Sequence, residues 1–309
     1  MIRNAFLLLL VTALLAAPVS SAADSGRQTP RVAAALAQGR AAELGLGIAR
    51  NPMLAMALYC DAGTMGSSDG FFQLGRMLAT APPPLRQPAL ANTYLALAAR
   101  LGRSEALKYY QPSVDQVVPD EPCSEFAAGA RTPAFDLDGY LARQPLAKQR
   151  VADLIRRLAP EYRIDARLAL AIALAESNLD SAAVAPNNAQ GVMQLIPATQ
   201  RSYGLSRPFD AEQNVRAALA YLSRLDERYA GDWRLIATAY EAAEASVDRC
   251  PPPSPQLEAR QYVRRVLLFA GFAVPEKVGA GGQAAPTGRS PATPGEQLVG
   301  RQQALPCRA

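Results

Sequence analysis

The run Leu168-Ala-Leu-Ala-Ile-Ala-Leu-Ala175 is eight consecutive apolar residues, with good helix formers at every position. It predicts a helix, with Asp165 placed to cap its start. Glu176 closes the run, and Ala169, Ile172 and Ala173 lie seven, four and three residues before it, on its own face. A carboxyl in such surroundings loses solvation, which raises its pKa and makes it a usable general acid near neutral pH. A frayed helix end that turns Glu176 into water satisfies the same spacing, so the pattern alone leaves both readings open.

The first half carries a different periodicity. When the chain is compared with itself so that Ala55 falls opposite Ala91, Tyr59, Ala62 and Gly66 fall opposite Leu95, Ala98 and Gly102. Periods of this size belong to helix–turn–helix solenoids, in which small residues let paired helices approach. An alanine-rich bundle with coincidental spacing is the alternative. Pro82-Pro-Pro84 and Pro88 fall between the two units, while Pro112, Pro119 and Pro122 end the pattern. Residues 112–145 therefore read as a linker with short structure, and a second helical block begins near Leu146. Residues 276–309 are rich in Gly, Pro, Ala and Gln with little to bury, and read as a disordered tail.

At the N-terminus, Arg3, the apolar stretch Ala5–Ala17 and Ser20-Ser21-Ala22 have the layout of an export signal over residues 1–23. The apolar run is short for a membrane span and stops at Pro18, and no cysteine sits near the cleavage site to take a lipid. The expectation is a periplasmic or secreted product with no stable membrane anchor once the signal is cut.

Composition narrows the chemistry. Half of the 309 residues are hydrophobic and only 6% aromatic, which suits packed helices, an all-α fold, more than sheets. The net charge of +5 favours an anionic polymer, but 32 basic and 27 acidic residues are scattered without a basic, aromatic-interleaved block, so nucleic acid is not the expected partner. The chain has no histidine. That removes Ser-His-Asp and Cys-His nucleophiles and histidine-zinc hydrolysis, and leaves carboxylates, tyrosine, lysine or backbone dipoles. Cys60, Cys123, Cys250 and Cys307 match no zinc spacing. In an exported chain they suggest two disulfides; three connectivities are open, and sequence order favours Cys60–Cys123 with Cys250–Cys307.

The residues beyond Glu176 tip the balance between its two readings. The chain reads Glu176-Ser177, then Ala189-Gln-Gly191-Val-Met193-Gln194-Leu-Ile-Pro197-Ala-Thr199, then Asn214, Ala239-Tyr240, and finally Glu258 with Tyr262-Val263-Arg-Arg-Val266. In order and spacing this resembles the lytic transglycosylase family, of the soluble type with a goose-lysozyme-like fold, over roughly residues 148 to 270. Separately, Ala55-x-x-Leu-Tyr-x-x-Ala-Gly-x-x-Gly66 followed by Leu74-Gly75 resembles a Sel1-like repeat.

The two resemblances imply an all-α protein: a short Sel1-like solenoid over residues 24–111, then a lysozyme-like catalytic domain over residues 146–275. The first implies cleavage of peptidoglycan glycan strands without metal or organic cofactor. Glu176 protonates the bond between N-acetylmuramic acid and N-acetylglucosamine, then acts as base on the muramyl C6 hydroxyl to close a 1,6-anhydro ring. Asp180 lies beyond the expected helix end, so a single carboxylate has to suffice. By the same resemblance Ser177 braces the helix end or the substrate site, Gly191 permits close approach, Met193 and Gln194 line the sugar site, and Tyr240 holds Glu176 or the substrate. Glu258 and Tyr262 complete the substrate-binding set. The Sel1-like resemblance implies a protein partner.

Three departures stand out. Ala185 replaces the family's serine before the glycine turn, Glu241 replaces the asparagine after the tyrosine, and Ala243 replaces a glycine. Glu241 either enters the cleft beside Glu176 or turns into solvent. These departures keep a second class in play, a weakened wall-binding or scaffold protein, and a water-admitting hydrolase is a variant of the first.

Overall fold

A computed structural model describes residues 28–119, 122–123, 126, 135–249 and 257–272. The expected export signal, the tail, Cys250 and Cys307 lie outside the described residues, as does part of the expected linker.

Four helices open the described part of the chain: α1 (Pro30–Leu44), α2 (Pro52–Thr64), α3 (Ser68–Thr80) and α4 (Pro88–Arg100). Three of them begin with proline, whose fixed φ suits the first helical position and whose missing N–H costs nothing there. Thr29, Asn51 and Ser67 cap α1, α2 and α3 through side-chain oxygens. Each helix packs on the next. Small residues set the separation: a Cβ on Gly70 would stand 2.4 Å from the backbone nitrogen of Gly63, so α2 and α3 meet backbone to backbone.

The Cys60–Cys123 disulfide expected from sequence order is present and ties α2 to the chain beyond α4. The extended segment after α4 is pinned to it by Asn92, which donates to the carbonyls of Gln111 and Val114 at 2.7 Å, and by Thr93, which donates to that of Val117.

The second half contains α5 (Leu137–Ala142), α6 (Leu146–Leu158), a 3-10 turn (Ala159–Tyr162), α7 (Ala166–Ser177), α8 (Pro197–Ser202), α9 (Ala211–Arg228), α10 (Trp233–Ala242), α11 (Glu244–Arg249) and α12 (Leu257–Phe269). Among the described residues there are isolated β-bridges but no strand, in keeping with the all-α expectation. α7 is the hub: α1, α6 and α12 all pack on it, and every residue from Leu168 to Ser177 is buried. A helix apolar on all sides needs neighbours on all sides, and the run 168–175 meets that condition. Asp165 caps it by accepting from the Arg167 N–H at 2.8 Å, and Asn178 ends it in the left-handed conformation.

One hydrophobic core runs through both halves. Polar contacts reinforce the seam. Gln38 of α1 donates to the Leu174 carbonyl at 2.9 Å, Thr64 of α2 to Gln261 of α12 at 2.7 Å, and Arg264 of α12 pairs with the buried Asp61 of α2. α1 and α2 are thereby set directly against α7 and α12, which carry Glu176 and Tyr262.

Candidate active site

Glu176 sits at the last turn of α7 with no solvent exposure, so the buried alternative is the one realised. Its carboxylate meets two side chains from two other helices. Arg31, in the first turn of α1, forms a two-pronged ion pair: Nε lies 2.7 Å from Oε2 and Nη2 lies 2.9 Å from Oε1. The Tyr262 hydroxyl, from α12, donates to Oε1 at 2.8 Å. The Arg31 guanidinium also lies over the Tyr262 ring, 5.1 Å from its centre. Burial holds the Glu176 carboxyl above its ordinary range; Arg31 opposes that shift, Glu241 adds to it, and the Tyr262 hydroxyl opposes it.

Glu241 enters the cleft. Its Oε2 pairs with Nη1 of Arg31, so one guanidinium bridges two carboxylates. Both carboxylates, with Arg31, Ala185, Asn187, Gln194 and Glu258, line a cavity of about 310 Å³, at the low end of ligand pockets. Ala185 contributes a methyl to that wall where the resemblance leads one to expect a hydroxyl.

Behind the cavity, residues 183–195 fold into a tight double turn. Gly191 stands at φ 77°, and a Cβ there would lie 2.3 Å from the Pro208 carbonyl and 2.4 Å from Asn214 Nδ2, so only glycine fits. The close approach that Gly191 permits in this structure is to Asn214. That asparagine is fully buried and joins the turn to the chain ahead of α9: Oδ1 accepts from the Met193 N–H at 2.9 Å, and Nδ2 donates to the carbonyls of Gln190 and Pro208. Ser177 donates to the Val192 carbonyl at 2.7 Å and accepts from the Asp180 N–H, bracing α7 against the same turn. Met193 is buried, and its carbonyl accepts from the Tyr240 hydroxyl at 2.7 Å. Gln194 donates to the carbonyls of Ala183 and Gly191 and borders the cavity.

The eight sequence-derived candidates therefore gather in one place but divide by contact. Tyr262 touches Glu176, and Gln194 and Glu258 share its cavity. Ser177, Gly191, Met193 and Tyr240 hold the turn that forms the wall. Arg31 carries no sequence signal. It lies 145 positions before Glu176 and belongs to no local pattern; only the packing of α1 on α7 brings it there.

Residues 153–259, from α6 to the start of α12, match the transglycosylase SLT domain. That stretch is about a third of the chain and contains Glu176, the double turn and Tyr240. A membrane-bound lytic murein transglycosylase D from Escherichia coli K12 is 35% identical over 117 residues, covering 31% of this chain and 26% of that protein. A membrane-bound lytic murein transglycosylase C from Edwardsiella ictaluri is 26% identical over 217 residues, covering 62% of this chain and 53% of that protein. A transglycosylase of Enterobacteria phage PRD1 is 32% identical over 88 residues, covering 28% of this chain and 33% of that protein. The chain thus spans about a quarter to a half of the length of these relatives. Among solved structures, an inactive mutant of lytic transglycosylase Slt from Pseudomonas aeruginosa aligns over 78% of this chain and 56% of that one, at 18% identity and a TM-score of 0.37. Among the described residues, no helix is long and apolar enough to cross a membrane.

Proposed function

We propose that this chain is an exported peptidoglycan lytic transglycosylase in which Glu176 is first acid and then base. The observation that carries the reading is a carboxyl inside the SLT-matching segment, with no exposure, its pKa raised by burial, on the wall of a cavity that the first helix helps to line. Burial favours the protonated form of a carboxyl, the form a general acid needs. That proton passes to the oxygen between N-acetylmuramic acid and N-acetylglucosamine as the bond to the muramyl C1 breaks. The acetamido oxygen of the same sugar shields the developing positive charge. Glu176, now a carboxylate, takes the proton of the C6 hydroxyl, whose oxygen closes onto C1 to give the 1,6-anhydro ring. The proton is returned, no water is consumed, and no second carboxylate is required. Tyr262 holds Oε1 throughout and fixes the direction in which Oε2 can deliver. The buried double turn supports the cavity wall from behind.

The substrate in this reading is the glycan strand of peptidoglycan, met in the periplasm or outside the cell after removal of the signal. The first four helices, in the Sel1-like reading, offer a surface to a protein partner. Mass analysis of fragments released from purified peptidoglycan tests the reaction. Anhydro ends resist borohydride reduction and are the expected product; reducing ends would assign a hydrolase instead. A second reading, a wall-binding scaffold, is favoured by one observation: Arg31 and Glu241 occupy the position beside Glu176. Tight binding to peptidoglycan with no fragment released under any condition would select it.

A further inference from the structure

The Arg31 fork is at odds with an acid waiting for substrate. Both oxygens of Glu176 accept guanidinium N–H groups, a geometry that matches a carboxylate and leaves no oxygen free to hold a proton toward a sugar. The side chain of Arg31 is 29% exposed while that of Glu176 is not exposed at all. Both residues border the same cavity, and of the two only Arg31 has exposed surface. The same guanidinium already grips a second anion through Nη1, at a position where the family resemblance has a neutral amide.

On the transglycosylase reading of the site, we propose that Arg31 is a positioning residue that clamps Glu176 in the resting protein and is transferred to Glu241 when the glycan enters. The transfer needs no unpaired cation at any stage, because Nη1 stays on Glu241 while Nε and Nη2 let go of Glu176. The Tyr262 ring beneath the guanidinium gives it a surface to turn on. Once uncovered, Glu176 keeps its hydrogen bond from Tyr262 but has lost its cation, and burial then favours the protonated form that the reaction uses.

Among the described residues, the titratable and charged groups around Glu176 come from three helices. α1 contributes Arg31, α10 contributes Tyr240 and Glu241, and α12 contributes Tyr262, with Glu258 and Arg265 bordering the same cavity. Tyr240 is engaged with the Met193 carbonyl, and Arg265 lies 3.6 Å from the buried Asp61. α6 turns its buried apolar side chains, Val151, Ala152 and Ile155 among them, inward. Arg31 is thus the cation hydrogen-bonded to Glu176, and Glu241 is the anion placed to receive it.

The test titrates the Glu176 carboxyl by carbon-13 NMR, assigned with Glu176→Gln, and measures soluble-fragment release against pH on the same proteins. Arg31→Gln is expected to raise the Glu176 pKa by about one to three units. The pH above which release falls should rise by the same amount. Arg31→Lys keeps a charge but loses the fork, and should shift both in the same direction by less. Glu241→Gln denies the guanidinium its second anion, and release at neutral pH should fall by about tenfold, equivalent to one unit in the Glu176 titration. Arg31→Gln/Glu241→Gln should recover the loss, which a direct sugar contact by Glu241 would not allow. An unmoved Glu176 titration in Arg31→Gln, or a Glu241→Gln loss that the double variant does not recover, would overturn the clamp. If the titration moves as stated while no protein releases anhydro fragments, the transglycosylase reading fails and with it the transfer on glycan entry, while the resting clamp of Arg31 on Glu176 stands.

Discussion

Replacing Asn214 by alanine should cost the fold far more than an ordinary substitution in a helix. The side chain is fully buried and completes three hydrogen bonds: from the Met193 N–H at 2.9 Å, to the Gln190 carbonyl at 3.0 Å and to the Pro208 carbonyl at 2.9 Å. Alanine leaves the Met193 N–H with nothing to donate to, at roughly 1–3 kcal/mol for a buried unsatisfied group. The Pro208 carbonyl adds a further 1–2 kcal/mol or so on the same scale. The Gln190 carbonyl suffers less, because it also accepts from the Leu195 N–H. Together these give a loss of about 2–5 kcal/mol, reaching into the range of the large effects that come from breaking a buried network. Urea unfolding of the variant beside the wild type reads it as a lower midpoint with an unchanged slope. A loss under about 1 kcal/mol would refute the reasoning, since the turn would then not depend on Asn214 for its pairing.

Three further outcomes rest on the same structure. Tyr262→Phe removes the donor on Oε1 and should raise the Glu176 pKa by about one to two units, the equivalent of a hydrogen bond to a charged group; a fall in that pKa would contradict the assignment. Because the folded pKa of Glu176 lies above its unfolded value, the folded state holds the proton more tightly, and stability is lost as pH rises from about 4.3 through the folded value. Glu176→Gln should therefore gain on the wild type in urea unfolding as pH rises over that window, and a gain in the opposite direction would reverse the sign of the shift. Reducing Cys60–Cys123 opens a loop with a sequence separation of 63, which chain entropy values at about 4 kcal/mol, read as a lower melting temperature in the presence of a reductant.

The legibility of the site depends on the range over which each signal acts. α7 can be read from sequence because its signal is local: eight apolar residues in a row, an aspartate to cap it and a glutamate on a marked face. The alanine-spaced periodicity of the first half marks helices, and the structure shows α2, α3 and α4 each packed on its neighbour through small residues. Pro88, read as part of a turn, opens α4, since the chemistry that breaks a helix interior also starts a helix. The division of labour among Ser177, Gly191, Met193 and Tyr240 is not legible. A motif keeps its spacing whether its residues face a ligand or hold the backbone behind it, and here they engage the turn. Glu241 stands out as a change of charge, but its direction depends on Arg31. Arg31 itself gives no sign, because one arginine on α1 is like any other until α1 is laid across the end of α7.

If Glu176 is the group that moves the proton, the most direct measurement compares the full chain with Glu176→Gln for release of anhydro-muramyl fragments from purified peptidoglycan. Glutamine keeps the shape and can still accept from Tyr262, but it can neither deliver the proton nor take it back. Anhydro fragments are expected from the wild type, with a loss of at least about a hundredfold in the variant, the lower range of general acid–base contributions. Equal release from both proteins would contradict the role assigned to Glu176.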